Sequence, residues 1–79
     1  MKTEDVVLND KMRSQPSPFL GWIRVTGYNN IDIVNIRTGQ AAIAEDCNNL
    51  VHAFMPVDKG DEVEIVGNFL FGKFYETAL

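Results

Sequence analysis

The sequence has few of the residues from which catalytic and metal sites are built. It contains a single cysteine, Cys47, and a single histidine, His52, so it can form neither an internal disulfide nor a zinc site based on paired cysteines. Cys47 has no basic neighbour to activate it, and His52 lies among apolar residues in a strand pattern. A glycine-rich phosphate loop is absent, and the acidic residues near position 60 lack calcium-site spacing. We therefore expect no enzymatic activity, no metal site and no cofactor.

Long apolar runs are also missing, and basic residues are scarce. No run of about 18 apolar residues occurs, which predicts no transmembrane helix and no membrane insertion. The first residues carry mixed charges without an apolar stretch, so we expect no secretory signal and synthesis in the cytoplasm. Residues 19–79 hold four of the 7 basic residues but eight of the 11 acidic ones. Because such a body repels phosphate backbones, the charge balance predicts no binding to nucleic acid.

What the sequence does contain is typical of a folded domain, since 46% of its 79 residues are hydrophobic. Residues 1–18 differ from the rest. Apolar residues at positions 6, 7 and 8 could form a short amphipathic helix after an N-cap at Thr3, and the prolines at 16 and 18 would end it. We interpret residues 1–18 as a flexible N-terminal arm and linker, with packing on a neighbouring subunit as the alternative. Residues 19–79 are expected to form a single β domain.

The remainder of the chain alternates between β-branched or aromatic residues and short polar turns. Six strands are predicted, over residues 19–26, 31–37, 41–45, 50–55, 62–66 and 69–76. The turns between them include Tyr28-Asn29-Asn30, Asp58-Lys59-Gly60-Asp61 and Gly67-Asn68. The apolar set changes phase between Ile33 and Val34, which indicates a β-bulge or burial on both faces. The pattern predicts an all-β, antiparallel fold.

Residues 41–54 allow a second interpretation. A stripe at helical spacing is formed by Ile43, Cys47, Leu50, Val51 and Phe54. The pair Asn48-Asn49 disfavours a helix and favours a turn. We therefore predict two strands here, joined by a loop at residues 46–49.

Several predicted strands are apolar on both faces. A domain of this size can bury one face in its own core, but the other face would remain in water. A closed homo-oligomer would cover it and would also protect the free sheet edges. The residues expected at such an interface are Trp22, Val51, Ala53, Met55, Phe69 and Phe71.

Three segments occur in an order that resembles a known family: Gly21-Trp22-Ile23-Arg24-Val25-Thr26-Gly27, Phe54-Met55-Pro56-Val57-Asp58-Lys59-Gly60-Asp61-Glu62-Val63 and Lys73-Phe74-Tyr75. They are similar to the trimeric β-sandwich heads of bacteriophage tail fibres and related appendages. Those heads resemble the jelly rolls of complement and tumour-necrosis-factor-like proteins. In them a glycine-aromatic strand opens the domain, a Pro-Val-x-Lys-Gly-Asp corner joins two strands and an aromatic pair closes it. The resemblance covers residues 19–76.

The resemblance implies a small β-sandwich or jelly-roll-like barrel of about six strands that assembles as a homotrimer. It implies a non-catalytic structural protein and binding module of phage or prophage origin. Such a protein would be a virion component that recognises a cell-surface glycan by carbohydrate binding. In that arrangement exposed turns offer aromatic and amide groups to the ligand, and the residues expected to do so are Tyr28, Asn29, Asn30, Asn48 and Asn49.

Two other classes of protein fit the same residues. A Lys-Gly-Asp corner before an alternating strand also occurs in small OB-like and SH3-like barrels, which bind a partner protein or nucleic acid. Such a protein would be monomeric and would expose a basic or aromatic stripe on one sheet. The third class is a small regulatory or adaptor protein with a helix over residues 40–54 packed on a sheet.

Overall fold

The computed structural model describes residues 2–77, which form one antiparallel sheet of five strands. The strands are β1 (Thr3–Asp5), β2 (Gly21–Asn35), β3 (Ile43–Cys47), β4 (Leu50–Val57) and β5 (Val63–Glu76). Their order across the sheet is β1-β5-β2-β4-β3, so β5 and β4 flank the central β2. The predicted all-β fold is confirmed. Within the described residues, no helix is long and apolar enough to cross a membrane.

The two longest strands, β2 and β5, bend sharply. The 15 residues of β2 would span about 50 Å if extended, whereas the longest dimension of the molecule is 33 Å. The register between β2 and β5 shifts in this region, where Gly27 pairs with Phe69 but Ile31 pairs with Gly67. Positive φ angles at Asn29 (67°) and Gly67 (115°) accompany the shift. These β-bulges allow both strands to turn, and the sheet folds over its own inner face.

The bend explains two corrections to the predicted strands. Residues 28–30 and 67–68 are not turns between separate strands but irregularities within β2 and β5. The six predicted strands are therefore four, and β1 brings the count in residues 2–77 to five. The expected phase change between Ile33 and Val34 is also wrong, because Ile31, Ile33 and Asn35 are all buried in regular alternation. The irregularity lies a few residues earlier, at the bulge.

Residues 41–57 form a hairpin, so the helical alternative for residues 41–54 is wrong. β3 pairs with β4 from Ile43 opposite Phe54 to Cys47 opposite Leu50. The two residues between the strands, Asn48 and Asn49, have φ angles of 50° and 40°. Positive φ at both central positions is the requirement of a type I′ hairpin turn, and asparagine tolerates it well.

The N-terminal segment lies along the outer edge of β5. β1 pairs with the end of β5, and further along the Ser14 N–H donates to the Val63 carbonyl (2.8 Å) while the Ile65 N–H donates to the Met12 carbonyl (2.8 Å). Val6 is buried in the core. The expected helix after Thr3 is therefore replaced by a short strand, and the segment interpreted as an arm covers a sheet edge.

The folded sheet encloses one hydrophobic core. Both halves of the bent strands contribute to it, since Ile23 and Val25 precede the bulge of β2 and Ile33 follows it. The Ala42 N–H donates to the Ile33 carbonyl (2.9 Å), which ties the chain entering β3 to the second half of β2. The core side chains are Val6, Ile23, Val25, Ile31, Ile33, Val51, Ala53, Met55, Val57, Val63, Ile65 and Phe74.

Candidate functional site

The corner at residues 58–61 connects β4 to β5 and is held by a buried carboxylate. Asp61 is only 4% exposed. Its Oδ2 accepts hydrogen bonds from the Asn35 amide (2.9 Å) and from the Asp58 backbone N–H (2.9 Å). Arg37 donates to it twice, from Nε to Oδ1 (2.7 Å) and from Nη2 to Oδ2 (3.1 Å). The corner thus joins the end of β2 to the start of β5.

This carboxylate cluster is structural. The hydrogen bonds from Arg37 hold the pKa of Asp61 well below its ordinary value of 3.8, with further help from the Asp58 N–H and the Asn35 amide. Both carboxylate oxygens are engaged by donors, so Asp61 has little capacity left for a metal ion or a substrate. An open groove of about 340 Å³ lies beside the cluster. It is lined both by Gly21, at the start of β2, and by Arg37, just beyond the end of β2. We assign the cluster the task of locking the corner.

A second candidate site lies on the opposite side of the sheet from the core. In the first half of β2, side chains that point away from the core alternate with the buried Ile23 and Val25. Directly paired residues on the neighbouring strands project on the same side. We call this surface the outer face, and it comprises Trp22, Arg24, Thr26, His52, Phe54, Phe71, Lys73 and Tyr75.

The outer face is rich in aromatic rings. Trp22 is 46% exposed and Phe71 is 60% exposed, while Phe54 and Tyr75 are half-buried. Trp22 pairs with Tyr75 on β5. The ring centroids of Trp22 and Phe54 are 6.3 Å apart. Three adjacent strands therefore present aromatic side chains to solvent on one surface. Aromatic rings exposed in this way are typical of binding surfaces rather than of free protein surface.

The centre of the outer face is basic. Arg24 on β2 pairs directly with Lys73 on β5. Lys73 lies 3.7 Å from Asp5 on β1, and Glu45 pairs with His52 at the other margin, on β3. The two carboxylates thus belong to the outer strands of the sheet, and the cations belong to its central strands.

A depression of about 160 Å³ opens between these side chains. Thr26 lies in it and is almost fully covered, since its paired neighbours His52 and Phe71 flank it. The Thr26 hydroxyl and the His52 Nδ1 form a hydrogen bond of 2.9 Å. Arg24, Lys73 and Tyr75 complete the lining. The depression therefore combines cationic groups with aromatic walls, which suits an anionic ligand that also has a flat or apolar part.

The predicted ligand-binding asparagines are close together at one end of the sheet. The Asn29 N–H donates to the Asn49 carbonyl (2.8 Å), which joins the bulge of β2 to the β3–β4 turn. These residues and their neighbours are exposed, namely Tyr28, Asn29, Asn30, Asn48 and Asn49. Asn29, Asn48 and Asn49 have positive φ, so backbone geometry alone accounts for asparagine at these positions.

The predicted interface residues are divided between two environments. Trp22 and Phe71 lie on the outer face and are exposed, as an interface requires. Val51, Ala53 and Met55 lie in the core instead, where they have almost no surface to offer a second chain. Phe69 is partly buried against that core. The prediction for Val51, Ala53 and Met55 is therefore wrong. Successive side chains of a strand point to opposite faces, and these three residues of β4 alternate with the outward-facing His52 and Phe54.

Sequence reasoning missed the basic pair and the half-buried aromatic residues of the outer face. The alternation in Trp22-Ile23-Arg24-Val25-Thr26 places Arg24 beside Trp22 on one face, and that signal is present in the sequence. The pairing of Arg24 with Lys73 depends on the register between β2 and β5. That register is set by bulges that the sequence pattern did not locate.

Among residues 2–77, no three His, Cys, Asp or Glu side chains are grouped so that they could hold a metal ion. Comparison with known proteins adds no further evidence. No protein-family model, curated protein or solved structure matches the chain, so its function is inferred from the geometry of its own surface.

Proposed function

We propose that this protein is a non-catalytic binding module that takes single-stranded nucleic acid on its outer face. The observation that supports this is the arrangement of exposed aromatic rings on three adjacent strands around a basic centre. Proteins that bind single strands commonly use such a surface, because bases stack on aromatic rings while cations meet the backbone. This is the aromatic and basic stripe expected of the OB-like or SH3-like alternative.

The overall acidity of the chain does not oppose this proposal. The net charge is −4, but the charges are separated in the fold. Asp58 and Asp61 belong to the corner, and Glu64 lies on the first half of β5, paired with Arg13. Arg24 and Lys73 belong to the outer face. Asp5 and Glu45 lie at the two margins of the outer face. Exposed charges are screened over about 8 Å at physiological salt, so a ligand at the centre of this face lies nearest to Arg24 and Lys73.

Trp22 provides a direct test, since it is the only tryptophan in the chain and lies on the outer face. We expect a short oligothymidylate to quench its fluorescence as a base stacks nearby. Replacing Phe71 by alanine removes one stacking ring, which is worth about 1–3 kcal/mol, so the affinity should fall by about 5- to 150-fold. Leu70→Ala is the matched control, because Leu70 is similarly exposed but is left unpaired at the register shift. Equal affinities for the two variants would contradict the proposal.

Self-association is the second candidate, as in the phage-appendage heads that the sequence resembles. The observation that favours it is the exposure of large apolar residues at the margin of the outer face, including Ile43 and Leu50. In a homotrimer this surface would be covered, and the cluster of asparagines would be left for a glycan. Direct apposition of outer faces would, however, bring Arg24 and Lys73 of each copy together, which is unfavourable.

Light scattering on a sizing column separates the two candidates. A particle with the mass of one 8.9 kDa chain supports the monomeric nucleic-acid module. A particle of three times that mass, dissociated by Ile43→Glu, supports the trimeric assembly.

A further inference from the structure

We infer that the depression between Arg24 and Lys73 is a phosphate subsite, in which one backbone phosphate of a bound strand is held by both cations. This inference rests on the proposed function and identifies the part of the ligand that the basic centre recognises. Three observations support it, namely the direct pairing of the two cations, the absence of an ion pair at Arg24 within residues 2–77, and the lining of the depression.

The pairing of Arg24 with Lys73 is unfavourable for the protein by itself. Directly opposite residues on antiparallel strands have Cα atoms about 4.5–5.5 Å apart, and like charges in such positions repel each other. An anion placed between them removes the repulsion and gains charge-assisted hydrogen bonds from both. Asp5, on the other side of Lys73, offsets part of this repulsion, and an anion between Arg24 and Lys73 would offset more of it.

The remaining arginines of the chain are neutralised, whereas Arg24 is not. Arg13 lies 3.2 Å from Glu64, and Arg37 lies 2.7 Å from Asp61. Within residues 2–77, Arg24 makes neither an ion pair nor a side-chain hydrogen bond. Lys73 is paired across the sheet with Asp5 on β1, whose carboxylate lies 3.7 Å from its Nζ. Both side chains are largely exposed, so this ion pair contributes little.

The lining of the depression fits a phosphate with part of its sugar. Its volume of about 160 Å³ is smaller than the roughly 300–1,000 Å³ of pockets that enclose whole ligands, so the base must lie outside it. Phe71 is the most exposed ring at its margin and is placed to stack with that base. The Thr26 hydroxyl and Nδ1 of His52 share a hydrogen bond. When the hydroxyl donates to Nδ1, Nε2 carries the hydrogen and can donate to a phosphate oxygen.

The test uses Lys73→Gln, with Lys59→Gln as the control. Lys59 lies in the exposed corner between β4 and β5, so both variants lose the same charge and only one alters the outer face. Oligothymidylate affinity is measured by Trp22 fluorescence over a series of salt concentrations. A single-strand phosphate contact contributes about 0.7 to the slope of log K against log salt concentration. We expect Lys73→Gln to reduce the slope by about that amount and Lys59→Gln to leave it unchanged.

Thermal unfolding supplies an independent measurement with inorganic phosphate as the probe. Phosphate should raise the Tm of the wild type and of Lys59→Gln above its value in chloride at equal ionic strength. It should not raise the Tm of Lys73→Gln.

The outcomes distinguish this inference from the proposed function. Oligothymidylate binding with the same slope in both variants, and equal phosphate effects on Tm, would overturn the phosphate subsite and leave the proposed function standing. Stabilisation by phosphate that is lost only in Lys73→Gln, without any oligothymidylate binding, would support the subsite and contradict the proposed function.

Discussion

Asp61→Asn tests whether the buried carboxylate locks the corner between β4 and β5. All the groups around Asp61 are donors, from Asn35, Arg37 and the Asp58 backbone. An asparagine has one acceptor and one donor end, so its NH₂ group must face at least one of these donors. The substitution preserves shape and size and changes only the charge and the hydrogen bonding.

The loss can be calculated from the two hydrogen bonds that Oδ2 of Asp61 accepts from Asn35 and from Asp58. A hydrogen bond to a charged group contributes about 1.5–3 kcal/mol and a neutral one about 0.5–1.5 kcal/mol. Weakening both from charged to neutral therefore costs about 2–3 kcal/mol. For a domain of this size each kcal/mol corresponds to about 4–8 °C, so the Tm should fall by about 8–24 °C.

Differential scanning calorimetry or circular dichroism measures this fall, with Asp58→Asn as the control. Asp58 also contacts Arg37, at 2.9 Å, but its side chain is 65% exposed against 4% for Asp61. Exposed ion pairs contribute little, so the Tm of the control should stay within a few degrees of the wild type. Equal Tm values for the two variants would refute the assignment of Asp61 as the lock.

The same variant predicts a pH dependence. The pKa of Asp61 is lowered by folding, chiefly through the hydrogen bonds from Arg37. A lowered pKa stabilises the folded state fully above the ordinary value of 3.8 and progressively less as the pH falls below it. The advantage of the wild type over Asp61→Asn should therefore be greatest near neutral pH and should shrink in acid. An advantage that does not change with pH would mean that the carboxylate charge is not responsible.

Three further outcomes follow from the fold. Phe74→Ala removes a fully buried side chain and should lower the free energy of unfolding by about 3–5 kcal/mol, as measured by urea denaturation. Gly21→Ala should prevent normal pairing at the start of β2, because a Cβ there would overlap the Tyr75 carbonyl oxygen; loss of native stability by circular dichroism would show it. Deletion of residues 1–17 should expose the β5 edge, so we expect a lower Tm and concentration-dependent aggregation by light scattering.

The strands were the most predictable feature of the fold. β3 and β4 follow from β-branched and apolar residues on either side of Asn48-Asn49, a pair whose tolerance of positive φ marks a hairpin turn. The bend was not predictable in the same way. Tyr28-Asn29-Asn30 and Gly67-Asn68 have turn composition, but the same residues can serve a bulge in a continuous strand. Only the tertiary pairing of β2 with β5 decides between the two.

The candidate site was only partly visible in the sequence. Trp22 and Phe71 were predicted to lie at an interface because the strands are apolar on both faces, and both side chains are exposed. Arg24 and Lys73 are nearly 50 residues apart in the sequence, and neither attracts attention alone. Their juxtaposition depends on the register of two bent strands. The prediction of no nucleic-acid binding rests on the net charge, whereas the proposed function rests on the local charges of one surface.

The most direct test of the central claim, that the outer face binds single-stranded nucleic acid, is amide chemical-shift mapping with an oligothymidylate. We expect shifts concentrated on the outer-face positions of β2, β4 and β5, above all at Arg24, Phe71 and Lys73. The amides of Arg37 and Asp61 at the corner should not move. Shifts centred on the corner, or no shifts at all, would contradict the claim.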